Sequence, residues 1–182
     1  MEFLEWGPRV LKTRLPLDLV DELVLKADKV SPANHNLAGH LKDQWYFNDQ
    51  CTLWFKEKIE STFNDYCLLK FSLTELWINH MIAGDFNPPH SHVGDYSFIL
   101  FANTLIDLHK DIISHQAVSA HPGSISFTYG DPANKQVETQ HNFIPTKGDF
   151  FIFPSNTVHY VTPFRCKGTR ISISGNIVIE KE

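Results

Sequence analysis

Cysteine is scarce in this 182-residue chain, with Cys51, Cys67 and Cys166 as the whole complement. Three thiols cannot all pair, and their spacing matches no zinc motif, so reduced thiols in an intracellular protein are the simplest reading. Positive charge is also short: 16 Lys and Arg stand against 21 Asp and Glu, a formal net charge of −5 with a pI near 6.0. That balance argues against a nucleic-acid or membrane-surface binder. The one tight cationic group, Arg165, Lys167 and Arg170, is too short to track a phosphate backbone. No apolar run approaches the length of a membrane span. The start, Met-Glu-Phe-Leu-Glu-Trp, lacks the basic and then apolar stretch of a secretory leader. Repeats and Gly/Ser- or Pro-rich linkers are missing too. One soluble, cytoplasmic domain over 1–182 is the expectation.

What is present is an ordinary globular composition, 42% apolar and 20% charged, enough for a sizeable core. The first third carries helical periodicity. Leu17, Val20, Leu23, Val24 and Ala27 predict a helix over 16–29, with Pro16 opening it. Trp54, Phe55, Ile59, Phe63 and Tyr66 predict a second over 49–66. Residues 30–47 read as irregular, with an exposed-looking Trp45-Tyr46-Phe47. From Phe71 onward, short apolar or alternating runs are bounded by Gly, Pro, Asn and Asp. They predict strands at Phe71–Ile82, Ser97–Asn103, Ser124–Tyr129, Val137–Ile144, Asp149–Phe153, Val158–Thr162 and Thr169–Ile179. The predicted fold is mainly β with N-terminal helices: a helical support (1–69) beside a jelly-roll core (70–180). Leu105–Gly123 is the least strand-like piece and reads as a lid or binding loop.

Chemistry is suggested by Asn87-Pro88-Pro89-His90-Ser91-His92-Val93-Gly94-Asp95. On a strand, His90 and His92 would share a face with Cα atoms roughly 6.5–7 Å apart, close enough to converge on one ion. Imidazoles suit iron, zinc, copper or nickel alike. With 10 histidines, chance alone supplies about half such a pair, so it carries little by itself. The weight comes from downstream. Gly148–His159 reads as turn, buried strand, Pro/Ser/Asn turn and a histidine opening the next strand. Arg170 and Ser172 then share strand parity. An arginine aimed into a sheet interior is costly unless an anion meets it. A bidentate carboxylate contact with a hydroxyl beside it would satisfy it; an internal Asp or Glu is the alternative partner. Two close ligands, one distant ligand, then a cation beside a hydroxyl is the order an iron centre with a dicarboxylate co-substrate needs.

His90-Ser91-His92, Gly148–His159 and Arg170-Ile171-Ser172 resemble the 2-oxoglutarate/iron(II)-dependent oxygenase superfamily, whose double-stranded β-helix (jelly roll) carries them in this order. More narrowly, Asn36-Leu37-Ala38-Gly39-His40, Trp77-Ile78-Asn79, Phe86–His92, Ser97-Phe98, Phe153-Pro154-Ser155 and Arg170–Ile177 resemble a small subfamily. It is related to prolyl hydroxylases and common among phage-encoded proteins. The likeness spans roughly residues 34–178. It implies iron(II) held by His90, His92 and His159, and 2-oxoglutarate held at its distal carboxylate by Arg170 with Ser172. The implied activity is an O2-dependent hydroxylation that converts 2-oxoglutarate to succinate and CO2. The substrate is unidentified, a peptidyl proline or another protein side chain by kinship. No side chain is assigned as a catalytic acid or base.

The chain departs from the superfamily pattern twice. The second ligand is usually a carboxylate, and here it is His92; Asp95 is the substitute, but five residues from His90 its strand parity is inverted. Asp95 is therefore read as a partner orienting a histidine. Related prolyl hydroxylases also supply a tyrosine hydroxyl from the next strand, which here carries Phe98 and Phe101; Asn79 or Tyr129 would replace it. Phe98, Phe151, Phe153 and Val161 would keep the site dry. Two rivals stand beside this reading. A cupin-type metalloenzyme shares the jelly roll and the His-x-His with a distant His, but lacks a glutamate after His92 and gives Arg170 no role. A non-catalytic jelly-roll binding module would use Trp45-Tyr46-Phe47 and Trp77 as its surface.

Overall fold

Cys51, Phe55, Ile59, Phe63 and Tyr66 recur every three or four positions, and they are the buried residues of the helix Asp49–Tyr66. Asn48 caps its first turn by accepting from the Cys51 N–H at 2.8 Å. The computed structural model describes residues 2–5, 7–27, 31–117, 119–131 and 139–181. In chain order the elements are β1 (Glu2–Glu5), β2 (Arg9–Arg14), α1 (Leu17–Leu25), β3 (Ser31–Pro32), β4 (Asp43–Tyr46), α2 (Asp49–Tyr66), β5 (Phe71–Met81) and β6 (Asn87–His90). There follow β7 (Tyr96–Phe101), α3 (Leu108–Ser114), β8 (Ile125–Thr128), β9 (Gln140–Phe143), β10 (Asp149–Pro154), β11 (Val158–Val161) and β12 (Arg170–Ile179).

The strands form two antiparallel sheets. The larger runs β1-β2-β10-β7-β12-β5-β4-β3 and the smaller β6-β11-β8-β9. On one face of the larger sheet, Leu100, Phe150, Ile152 and Ile173 pack with Val20, Leu23, Phe55 and Phe63 of α1 and α2. On the other, Val10, Met81, Ile99, Phe101, Phe151 and Phe153 meet Ile125, Phe127 and Val161 of the smaller sheet. A sheet covered on both faces needs strands apolar on both sides. That explains the unbroken run Phe150-Phe151-Ile152-Phe153, in which alternate rings serve the two cores. Each fully buried Phe contributes ~1.5–3 kcal/mol.

The helix over 49–66 forms as expected, and that over 16–29 contracts to Leu17–Leu25. All seven expected strands are present, with ends shifted by a residue or a few. The run Val137–Ile144 is seen as Gln140–Phe143, while Val137 and Glu138 lie outside the described residues. The first third, expected to be a helical support, also supplies β1 to β4 to the larger sheet. Trp45 and Tyr46 are accordingly half-buried in β4 and Phe47 is buried, so this is no exposed aromatic surface. β6 is not among the expected strand runs; it carries Pro88 and Pro89 and is an edge strand, where proline is tolerated. No described helix is long and apolar enough to cross a membrane.

Candidate metal and co-substrate site

β6 and β11 pair antiparallel with His90 directly opposite His159, so their side chains share the inner face of the smaller sheet. The rings stand 4.3 Å apart between centroids. His92 lies just past the end of β6, where its N–H donates to the Ser155 carbonyl at 2.8 Å. Its ring sits 5.0 Å from each of the other two and 5.6 Å from Trp77 on β5. The ligand atoms of the three imidazoles all lie within 4.8 Å of one another.

Backbone carbonyls set the tautomers. His90 Nδ1 meets the Pro88 carbonyl at 2.7 Å, and His159 Nδ1 meets that of Thr157 at 3.0 Å. A carbonyl only accepts, so each Nδ1 carries the proton and each Nε2 turns a lone pair inward. His92 Nε2 lies 3.2 Å from His159 Nε2. Two ligands on adjacent vertices of an ion, with bonds of about 2.1 Å, stand roughly 3 Å apart. The rings are also kept neutral. Burial lowers His90, takes His92 down to about 4 and His159 to about 3, and the neighbouring imidazoles add to the last two. Neutral, convergent donors of this kind fit a divalent transition metal.

Asp95, expected to orient a histidine, does not do so. Its Oδ2 accepts from the Ile179 N–H at 2.7 Å, and its backbone bonds Ile177 and Ser155. The kink at Gly94 (φ 97°) turns the carboxylate toward β12 rather than toward the histidines.

β12 carries the rest. Arg170, Ser172 and Ser174 alternate with Ile171 and Ile173 and are all buried or nearly so on the side facing the smaller sheet. Ser174 lines a cavity of about 20 Å³ against the three histidines, together with Asn79, Trp77, Phe153 and Val161. Two rungs away, Arg170 is held by Nη1 donating to the Gly123 carbonyl and Nη2 pointing at Met81 Sδ, both at 2.6 Å. The guanidinium lies over Phe101 and Phe164, 5.5 and 5.7 Å from the centroids. Its Nε is buried without a partner. Among the described residues no carboxylate pairs with it, so the internal salt bridge is ruled out there. Burial pulls its pKa down to about 10.

Asn79 stands opposite Ser172 in the β5–β12 pairing, and its Nδ2 faces Ser172 Oγ at 3.4 Å. Tyr129, the other candidate for the missing hydroxyl, is 56% exposed and packs by Gly7, away from the site. Phe153 and Val161 line the cavity as expected. Phe98 lines it too and also meets Phe55 and Phe150 on the helix side, while Phe151 turns to Phe127. Leu105–Gly123 does not cover the histidines. It forms α3 and walls a separate cavity of about 590 Å³ with Pro163, Phe164 and Arg165. The histidine cavity is roofed by Leu37, Ala38 and Gly39 instead. Sequence reasoning missed Gln44, which is 1% exposed, lines the same cavity and donates from Nε2 to Asn79 Oδ1 at 2.7 Å.

Solved structures share this architecture. A prolyl-4-hydroxylase from Pseudomonas putida superposes with TM-score 0.62 at 18% identity, covering 97% of this chain and 95% of that one. The viral collagen prolyl hydroxylase of Paramecium Bursaria Chlorella virus-1, in complex with 2-oxoglutarate, gives 0.59 at 14%, covering 92% and 94%. HygX from Streptomyces hygroscopicus, with nickel, 2-oxoglutarate and hygromycin B bound, gives 0.61 at 9%, covering 96% and 83%. At these identities the likeness establishes a double-stranded β-helix fold. No curated protein matches the chain in sequence. The family model for putative 2OG-Fe(II) oxygenases matches residues 75–176, a span that holds all three histidines, Asn79, Arg170 and Ser172. The chain belongs to the putative 2OG-Fe(II) oxygenase family, whose cofactors are iron(II) and 2-oxoglutarate with O2 as oxidant.

Proposed function

We propose that residues 1–182 act as one hydroxylase domain in which His90, His92 and His159 hold iron(II), and Arg170, Ser172 and Asn79 receive the distal carboxylate of 2-oxoglutarate. The observation that carries this reading is Arg170: a guanidinium 4% exposed, with an unpartnered Nε and, among the described residues, no carboxylate paired with it. A buried cation left unpaired costs several kcal/mol, and a dicarboxylate arriving along the Arg170–Ser172–Ser174 face removes that cost. The donor set fits the metal as well, since two Nε2 lone pairs face inward on carbonyl-fixed tautomers.

Iron(II) with 2-oxoglutarate and O2 supplies oxidative decarboxylation to succinate and CO2, coupled to oxidation of a substrate C–H bond. The protein's own residues perform simpler tasks. Pro88 and Thr157 carbonyls aim two imidazoles, Trp77 braces the third, and Phe153 and Val161 keep water out. No side chain is assigned a proton-transfer role. Hydroxylation of a peptidyl proline or another protein side chain is the finer reading, supported by the prolyl hydroxylases among the structural neighbours. Cytoplasmic action is supported by Cys51, Cys67 and Cys166 being thiols rather than disulfides.

The test is succinate formation from 2-oxoglutarate with iron(II), beside Mn(II) binding. His159→Ala loses the metal, while Arg170→Ala keeps it and loses 2-oxoglutarate-dependent turnover. Normal turnover in either variant overturns the assignment.

A further inference from the structure

Three buried polar side chains on three neighbouring strands form one row across the inner face of the larger sheet. Gln44 on β4 is the register partner of Asn79 on β5, which is the register partner of Ser172 on β12. Their exposures are 1%, 3% and 8%. Gln44 Nε2 donates to Asn79 Oδ1 at 2.7 Å, and Asn79 Nδ2 donates to Ser172 Oγ at 3.4 Å. The donors therefore all point one way, from Gln44 toward the strand that bears Arg170.

That direction decides what Ser172 and Asn79 can offer. A carboxylate accepts hydrogen bonds and gives none. With Asn79 Oδ1 occupied by Gln44, the Asn79 amide turns its Nδ2 toward β12, and Ser172, which accepts from it, keeps its own O–H to donate. Reversed, Asn79 would take the Ser172 proton on Oδ1 and give its N–H groups to Gln44, leaving an acceptor where a carboxylate must sit. An asparagine has no intrinsic preference between these orientations; its neighbour sets it.

We infer that Gln44 is a positioning residue: it locks Asn79 as a donor and so frees the Ser172 hydroxyl for the distal carboxylate of 2-oxoglutarate. The inference rests on the co-substrate reading above and adds a residue from an element, β4, outside the span of the family match.

The experiment measures Kd for 2-oxoglutarate on the Mn(II)-loaded protein by calorimetry, with melting temperature followed in parallel. Gln44→Leu weakens 2-oxoglutarate about tenfold in the natural background and less than twofold when Asn79→Leu is already present, because the effect travels through Asn79. Gln44→Glu is the isosteric test of direction. Ionised at pH 9, its carboxylate can only accept; it turns Asn79 round and weakens 2-oxoglutarate about tenfold relative to the natural chain. Protonated at pH 6, its O–H donates as the amide did, and affinity returns to within about threefold. A merely structural role moves the melting temperature without this profile. Equal penalties for Gln44→Leu in both backgrounds, or a Gln44→Glu protein that matches the natural chain at both pH values, overturns the inference. If Gln44→Leu does not fold, the Gln44→Glu comparison decides alone. Failure of the co-substrate reading looks different: the natural Mn(II)-loaded protein itself then binds no 2-oxoglutarate.

Discussion

Replacing Arg170 with Met should separate stability from function in a way few buried-charge substitutions do. Breaking an ordinary buried ion pair costs about 3–5 kcal/mol, because the remaining partner is stranded. Arg170 has no such partner among the described residues. Burial that lowers its pKa to about 10 corresponds to a standing penalty of ~3 kcal/mol, at 1.36 kcal/mol per pKa unit. Methionine removes that penalty and keeps an unbranched stem between Phe101 and Phe164. What is lost is the bond to the Gly123 carbonyl, ~1.5–3 kcal/mol, and two cation–π contacts at ~0.5–1 kcal/mol each. The two sides nearly cancel. For a chain of this size, where 1 kcal/mol moves Tm by roughly 2–4 °C, the ligand-free variant should melt within about 4 °C of the natural protein.

Ligand response should differ sharply. A two-point charge-assisted contact contributes on the order of 3 kcal/mol, so its loss raises Kd for 2-oxoglutarate ~100-fold or more. At a concentration near 100 Kd, 2-oxoglutarate stabilises the Mn(II)-loaded natural protein by ~2.7 kcal/mol, or about 5–10 °C. The same concentration moves Arg170→Met by about 2 °C at most. Thermal melts with and without the ligand read both quantities at once. A ligand-free loss beyond about 10 °C would mean that Arg170 neutralises a structural anion. An undiminished ligand shift would mean that something else anchors the carboxylate. Either result refutes the reasoning.

Asp95→Ala removes the acceptor for the Ile179 N–H and should cost about 1 kcal/mol of stability while leaving Mn(II) affinity unchanged by titration; a tenfold loss of metal would return Asp95 to the ligand set. Gly175→Ala places a Cβ 2.6 Å from the Glu75 carbonyl and from the Phe98 ring. Backbone cannot yield there, so about 2–3 kcal/mol is lost, seen as a Tm fall of roughly 5–10 °C. Acid should weaken the metal-free protein in a defined window. His92 and His159 titrate near 4 and 3 when folded against an ordinary 6.5, so the unfolded chain binds more protons between those values. Stability is present above pH 6.5 and falls as pH drops toward 4, by several kcal/mol at about 1.36 kcal/mol per pKa unit. Urea titrations at pH 7 and pH 5 read it, and a flat profile contradicts the burial of these rings.

The β half was legible because its signals are local. Strand runs between Gly, Pro and Asn punctuation located all seven predicted strands, and the parity of Arg170 and Ser172 correctly put both on one face. The same parity extends to Ser174, which reaches the histidine cavity. Parity also told against Asp95 as a ligand, and the carboxylate does turn to β12. Local signals fail where the partner sets the structure. β2 and β4 become strands because the larger sheet offers them edges, and Pro88-Pro89 is tolerated only because β6 is itself an edge. What Leu105–Gly123 covers was hidden for a related reason. Length and absence of strand pattern mark Leu105–Gly123 as a loop, but not which end of the β-helix it covers.

The candidate site divides along the same line. Residues whose roles depend on spacing within one segment (His90 with His92, Arg170 with Ser172) announce themselves. Residues whose roles depend on a cross-strand neighbour do not. Asn79 entered only through resemblance and the need for a donor, and Gln44 did not enter at all. Nothing in Asp43-Gln44-Trp45-Tyr46 indicates that a four-residue strand will lie in register with β5. Yet register is what gives the glutamine its meaning. A shift of one residue would turn Gln44 to the opposite face of the sheet. The polarity of the Gln44–Asn79–Ser172 row is thus a property of the assembled sheet. It is set by which strand joins which edge, and it acts on a site whose metal-facing half was already written in two short motifs.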